Sequence, residues 1–128
     1  MSLIGKSAPD FTLPNTSREA ISLSALRGKK VVLAFFPAAF TGVCTKEMCT
    51  FQESLSELND ANATVLGISV DAPFSNGAFA SANGVTFDIL SDYTRSVVEA
   101  YGIALHDFAG MVGYTASQRA VFVVNEEG

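Results

Sequence analysis

Six consecutive apolar residues at 31–36, Val-Val-Leu-Ala-Phe-Phe, run directly into a segment where Val43, Met48, Phe51, Leu55 and Leu58 recur at helical spacing. A run this short and this apolar is that of a strand covered on both faces, and the change of period marks a strand turning into a helix. The same change is repeated downstream. Residues 63–70 form a second near-continuous apolar run, Asp71-Ala72-Pro73 opens a helix that stops at Asn83-Gly84, 86–90 is a further strand, 94–101 a helix ended by Gly102, and 119–124 the last strand. Two short strands, 10–13 and 20–23, precede these, joined by the turn-rich Pro14-Asn15-Thr16-Ser17. Strands separated by helices predict parallel pairing with helices on both faces, an α/β sandwich of three layers. A glycine-containing loop over 105–118 is longer than the ~12 residues at which loops are usually functional.

The chain has 128 residues, 48% of them hydrophobic. It can bury roughly two thirds of its unfolded surface on folding. With no repeat, low-complexity tract or linker, residues 1–128 read as a single domain. No apolar stretch approaches the ~18 residues of a membrane helix, and Met1-Ser2-Leu3-Ile4-Gly5-Lys6 lacks the apolar core of a signal peptide, so a cytoplasmic protein is expected. The net charge of -5, with 8 scattered Lys and Arg, argues against a nucleic-acid partner.

Both cysteines, Cys44 and Cys49, fall just past the strand at 31–36. In a reducing compartment such a pair is redox-active or metal-binding more often than a structural staple. Cys44 sits where a helix begins, and the unpaired N–H groups and positive dipole end there favour thiolate over thiol. Active sites of such sheets lie at the carboxyl ends of the strands, so fold and electrostatics select the same residue.

Pro37-x-x-x-Thr41-x-x-Cys44 on a strand-to-helix junction, with Arg119 opening a later strand, resembles the peroxiredoxin family of thiol peroxidases. The likeness begins at Gly5-Lys6-x-Ala8-Pro9-Asp10-Phe11. Ala39-Phe40-Thr41-Gly42 is similar to the alkyl hydroperoxide reductase E group, and the second cysteine five residues on is similar to the peroxiredoxin Q (bacterioferritin comigratory protein) group. The resemblance implies a thioredoxin-like three-layer fold with a mixed central sheet and an N-terminal extension. It also implies a peroxide site of Pro37, Thr41, Cys44 and Arg119, no cofactor and no metal, a thioredoxin-type reductant as partner, and dimers in many members. Relatives continue into a further strand and C-terminal helix that the residues after 124 do not supply.

The roles also follow from chemistry. A free thiol is roughly 3% ionised at pH 7, so complete ionisation of Cys44 speeds attack on a hydroperoxide by no more than ~30-fold. The remainder has to come from donors meeting charge on the breaking O–O bond. Arg119 offers a permanently charged fork, Thr41 a hydroxyl, and Pro37 shielding of the thiolate. Glu47 either braces Arg119 or is a first-turn acid favoured by the dipole. Cys49 is the natural resolving cysteine, or a small buried hydrophobe on a core-facing helix. In an ideal helix residues five apart have Cα atoms about 8.7 Å apart, beyond the ~7 Å limit for a disulfide, so the first turns must unwind before the bond forms. His106, the sole histidine, is expected to be a solvated loop residue, and Phe40, Phe51 and Phe79 core or pocket wall. Two other classes stay open: a thioredoxin-like disulfide exchanger, although Cys-x-x-Cys is absent, and a non-enzymatic metal-binding or interaction module, although two Cys and one His fall short of a four-ligand zinc site.

Overall fold

Alternation within the strands decides the layering. In β3 (Lys30–Phe35), Val31, Leu33 and Phe35 point into one apolar cluster, while Val32 and Ala34, followed by Phe36, point into another on the opposite face. The computed structural model describes residues 4–40 and 42–128, with side chains at all of these except residues 42–45. Before β3 lies the antiparallel pair β1 (Thr12–Pro14) and β2 (Ala20–Ser22). After it come α1 (Gly42–Glu53), α2 (Leu55–Asp60), β4 (Ala63–Ser69), α3 (Pro73–Asn83), β5 (Asp88–Ser91) and α4 (Ser96–Ala100). A small hairpin, β6 (Ala104–Leu105) with β7 (Ala116–Ser117), leads into β8 (Ala120–Val124).

The main sheet has the order β5-β4-β3-β8. Its first three strands are parallel, as the helical connections require, and β8 runs antiparallel to β3 with Ala120 opposite Phe35 and Val124 opposite Val31. The sheet is therefore mixed, as the family resemblance implies, and the parallel pairing that helical connections predict is confined to β3, β4 and β5. A hydrophobic run carries no direction, and the β6–β7 hairpin turns the chain before β8 begins. One face packs on α1, α2 and α3 through Met48, Phe51, Leu55, Leu58 and Phe79, the other on α4 and the N-terminal strands through Val97, Val98, Tyr101, Phe11 and Leu13. Along β8, Val121 and Val123 are 50% and 70% exposed while Phe122 and Val124 turn inward.

Helix α1 approaches the sheet closely because β4 has Gly67 beneath it. A Cβ there would come within 3.3 Å of Met48 Sδ and of Ile89 Cγ1. At its far end Gln52 Oε1 accepts the Thr86 N–H at 2.8 Å and Gln52 Nε2 donates to Thr86 Oγ1 at 2.9 Å, tying the helix to the segment before β5. The apolar stripe predicts one helix through Leu58, but the structure breaks it at Ser54 (φ -92°, ψ 2°). Thr50 Oγ1 donates back to the Lys46 carbonyl at 2.9 Å, a bond that bends helices. Further differences are small in extent: β1 starts at Thr12 and β5 at Asp88, and the loop at 105–118 holds the β6–β7 hairpin.

Candidate active site

The chain leaves β3 at its carboxyl end, where the Phe36 N–H still donates to the Ile68 carbonyl at 3.0 Å. Phe36 and Pro37 are buried, so the loop starts from a fixed point. The Ala39 N–H then donates to Asp71 Oδ2 at 2.8 Å. Phe40 stands in the left-handed region at φ 65°, unusual for a bulky residue. The residue is 57% exposed and its ring lies edge-on to the buried Phe79 at 5.5 Å, so Phe40 is an outer wall of this corner rather than core. Helix α1 opens at Gly42, which makes Cys44 its third residue, in the turn with unpaired N–H groups. Thr41 and the side chain of Cys44 lie outside the described residues.

Arg119 reaches the same end of the sheet through the antiparallel course of β8. Ala120 pairs with Phe35, the last residue of β3, and Arg119 precedes it. In a strand parallel to β3 the first residue would lie at the opposite edge. Arg119 Nε is 3.6 Å from Glu47 Oε2, with side chains 40% and 19% exposed. Glu47 is three residues beyond Cys44, on the same side of the helix. It lies past the first turn of α1, where the dipole no longer favours an acid, and its carboxylate stands within ion-pair distance of Arg119. Glu47 Oε1 is buried and accepts no hydrogen bond among the described residues. Burial pushes the Glu47 carboxyl above its ordinary value, and the Arg119 guanidinium opposes this.

Cys49 is a half-buried free thiol within the same unbroken helix as Cys44. It follows Met48, which is fully buried. His106 is exposed, with Nδ1 at 3.0 Å from Thr115 Oγ1 and Nε2 at 3.3 Å from Glu99 Oε1. Among the described residues no group of three or more His, Cys, Asp or Glu is placed to hold a metal. No helix among them is long and apolar enough to cross a membrane.

Sequence reasoning missed Asp71. It reads as the start of α3, but the residue capping α3 is Ala72, with no side-chain hydrogen bond, and the Asp71 carboxylate turns to Ala39 instead. The partner lies 32 residues away. Only the position of an acid at the carboxyl end of a central strand hinted at it.

A cysteine in the first turn of the helix that follows a central strand, on a mixed sheet with helices on both faces, defines a thiol-redox protein of the thioredoxin-like class. The model of the AhpC/TSA family matches residues 4–128, and the chain belongs to that family. It is 39% identical over 125 residues to the peroxiredoxin bcp of Coxiella burnetii, covering 98% of this chain and 83% of the relative. It is 37% identical over 128 residues to alkyl hydroperoxide reductase E of Mycobacterium bovis, covering 98% and 80%. The crystal structure of peroxidoxin BcpB from Mycobacterium tuberculosis superposes with a TM-score of 0.87 at 32% identity, covering 96% of this chain and 79% of that one. With these relatives the enzyme class is that of a thiol-dependent peroxidase, an oxidoreductase acting on peroxide.

Proposed function

We propose that Cys44 is the peroxidatic cysteine of a two-cysteine cycle for hydrogen peroxide and organic hydroperoxides. Its thiolate attacks the terminal peroxide oxygen. The S–O bond forms as the O–O bond breaks, Cys44 becomes a sulfenic acid, and the leaving oxygen takes a proton and departs as water or an alcohol. Arg119, braced by Glu47, holds the thiolate and a peroxide oxygen together, Thr41 donates to the peroxide, and Pro37 keeps water from the sulfur. Cys49 then attacks the sulfenic sulfur, expelling water and leaving a Cys44–Cys49 disulfide. A thioredoxin-type dithiol reduces that bond in a reducing compartment, the cytoplasm, and the whole cycle is housed in one domain.

The observation that supports this most is the Arg119–Glu47 pair, which brings a guanidinium from the end of the chain to α1 one turn beyond Cys44. The test is peroxide consumption with a thioredoxin system, set against insulin reduction as the assay for disulfide exchange. Peroxide turnover is expected, lost in Cys44→Ser, with Cys49→Ser arrested at the sulfenic acid. Insulin reduction without peroxide consumption would assign the chain to disulfide exchange instead.

A further inference from the structure

We propose that Asp71 is a positioning residue for the peroxide-reactive state, a latch that holds the loop before α1 through the Ala39 N–H. The inference rests on the peroxidase reading above for its consequence, but on geometry alone for its existence. At the carboxyl ends of β4 and β5 lies a fully buried polar cluster of Ser69, Asn76 and Ser91. Asn76 Nδ2 donates to Ser69 Oγ and to Ser91 Oγ, both at 3.1 Å, and Asn76 Oδ1 is 3.2 Å from the Ser69 hydroxyl that donates to it. A buried polar cluster is costly unless satisfied, and a satisfied one is rigid. What this one fixes is Asp71, whose N–H donates to Ser69 Oγ at 3.2 Å.

The neighbouring buried acid, Asp92, spends its carboxylate locally, accepting the Val97 and Val98 N–H groups at 3.2 and 2.8 Å. Asp71 does not: α3 begins beside it without a side-chain cap, and the carboxylate crosses to the loop at 2.8 Å. The next residue of that loop, Phe40, is held at φ 65°. Strain of this kind persists only where the surroundings over-determine it. Here the restraints are the Asp71 bond on one side and the Phe79 ring on the other. Releasing Asp71 lets residues 37–40 relax and frees the start of α1. The peroxide-reactive geometry is thereby weakened, and the unwound state that a Cys44–Cys49 bond requires is favoured.

The test compares Asp71→Ala, which removes the acceptor, with Asp71→Asn, whose amide oxygen keeps it while the charge is lost. Sulfenic acid formation and disulfide closure are timed separately by stopped flow, and hydrogen exchange is followed over residues 37–40. In Asp71→Ala the first step is expected to slow by about tenfold or more, closure to speed up several-fold, and exchange over 37–40 to rise, while Asp71→Asn stays near wild type. Opposite movement of two steps is not what a general loss of stability produces, and equal behaviour of the two variants would assign the effect to charge. The proposal is overturned if the variants behave alike, if both steps fall together in Asp71→Ala, or if its exchange over 37–40 is unchanged. Should Asp71→Ala not fold, Asp71→Ser, with a hydroxyl too short to reach Ala39, carries the same readings. Failure of the wild-type protein to react with peroxide would sink the peroxidase reading, and the exchange measurement alone would then decide the latch.

Discussion

Glu47 is the least comfortable side chain of the site and, with Arg119, the most informative. Its buried Oε1 accepts no hydrogen bond among the described residues, so burial disfavours the ionised form and raises the carboxyl above its ordinary 4.5. The folded protein then binds this proton more tightly than the unfolded chain does. Stability from this group is full below the ordinary value, falls as pH rises through the raised value, and stays reduced above it. Glu47→Gln is therefore expected to melt no lower than wild type at neutral pH and to flatten the acid side of the melting profile, while its peroxide rate constant falls because Arg119 loses its brace. Thermal melts across pH, paired with stopped flow, check both signs. Arg119→Ala is expected to lose about 100-fold in that rate constant, and Arg119→Lys most of it, since an ammonium lacks the planar fork. The places of Cys44 at the start of α1 and of Arg119 just before β8 were legible in the strand–helix pattern, and the approach of Glu47 to Arg119 was one of two readings the sequence left open. Asp71 and the exposure of Phe40 were not, because each depends on a partner that only the folded chain brings near.

At the scale of elements, the proposed cycle gives α1 two duties that oppose each other. Wound, it places Cys44 in its first turn; to join Cys44 and Cys49 it must open, and Met48 between them is fully buried over Gly67. Withdrawing a Met side chain from a core costs on the order of 2 kcal/mol, so Met48 sets much of the resistance to opening. Met48→Ala is expected to destabilise the protein by about 2–4 kcal/mol in denaturant titration and to accelerate disulfide closure. The strands and helices were readable from periodicity because a sheet covered on both faces demands uninterrupted apolar runs. The break at Ser54 and the antiparallel course of β8 were not. One is accompanied by a local hydroxyl bond that leaves the apolar stripe intact, and the other follows a hairpin of two-residue strands below the length at which a pattern emerges.

At the scale of the whole molecule, a disulfide here should act against the usual direction. Closing a six-residue loop restricts the unfolded chain by only about 2 kcal/mol. The folded state must meanwhile surrender the first turns of α1 and the packing of Met48. The oxidised protein is therefore expected to melt below the reduced one, a reversal that calorimetry of both forms detects. The two apolar clusters share β3, so the core on either side of the sheet holds the strand from which α1 springs.

The central claim is that ionising Cys44 is not sufficient and that donors around the O–O bond supply the rest. Its most direct test is the stopped-flow rate constant of the reduced protein with hydrogen peroxide, compared with that of free cysteine at the same pH. Full ionisation alone allows at most about 30-fold over the free thiol. The account expects an excess of at least a further ~100-fold, lost in Arg119→Ala. An acceleration of 30-fold or less, indifferent to Arg119, would contradict it.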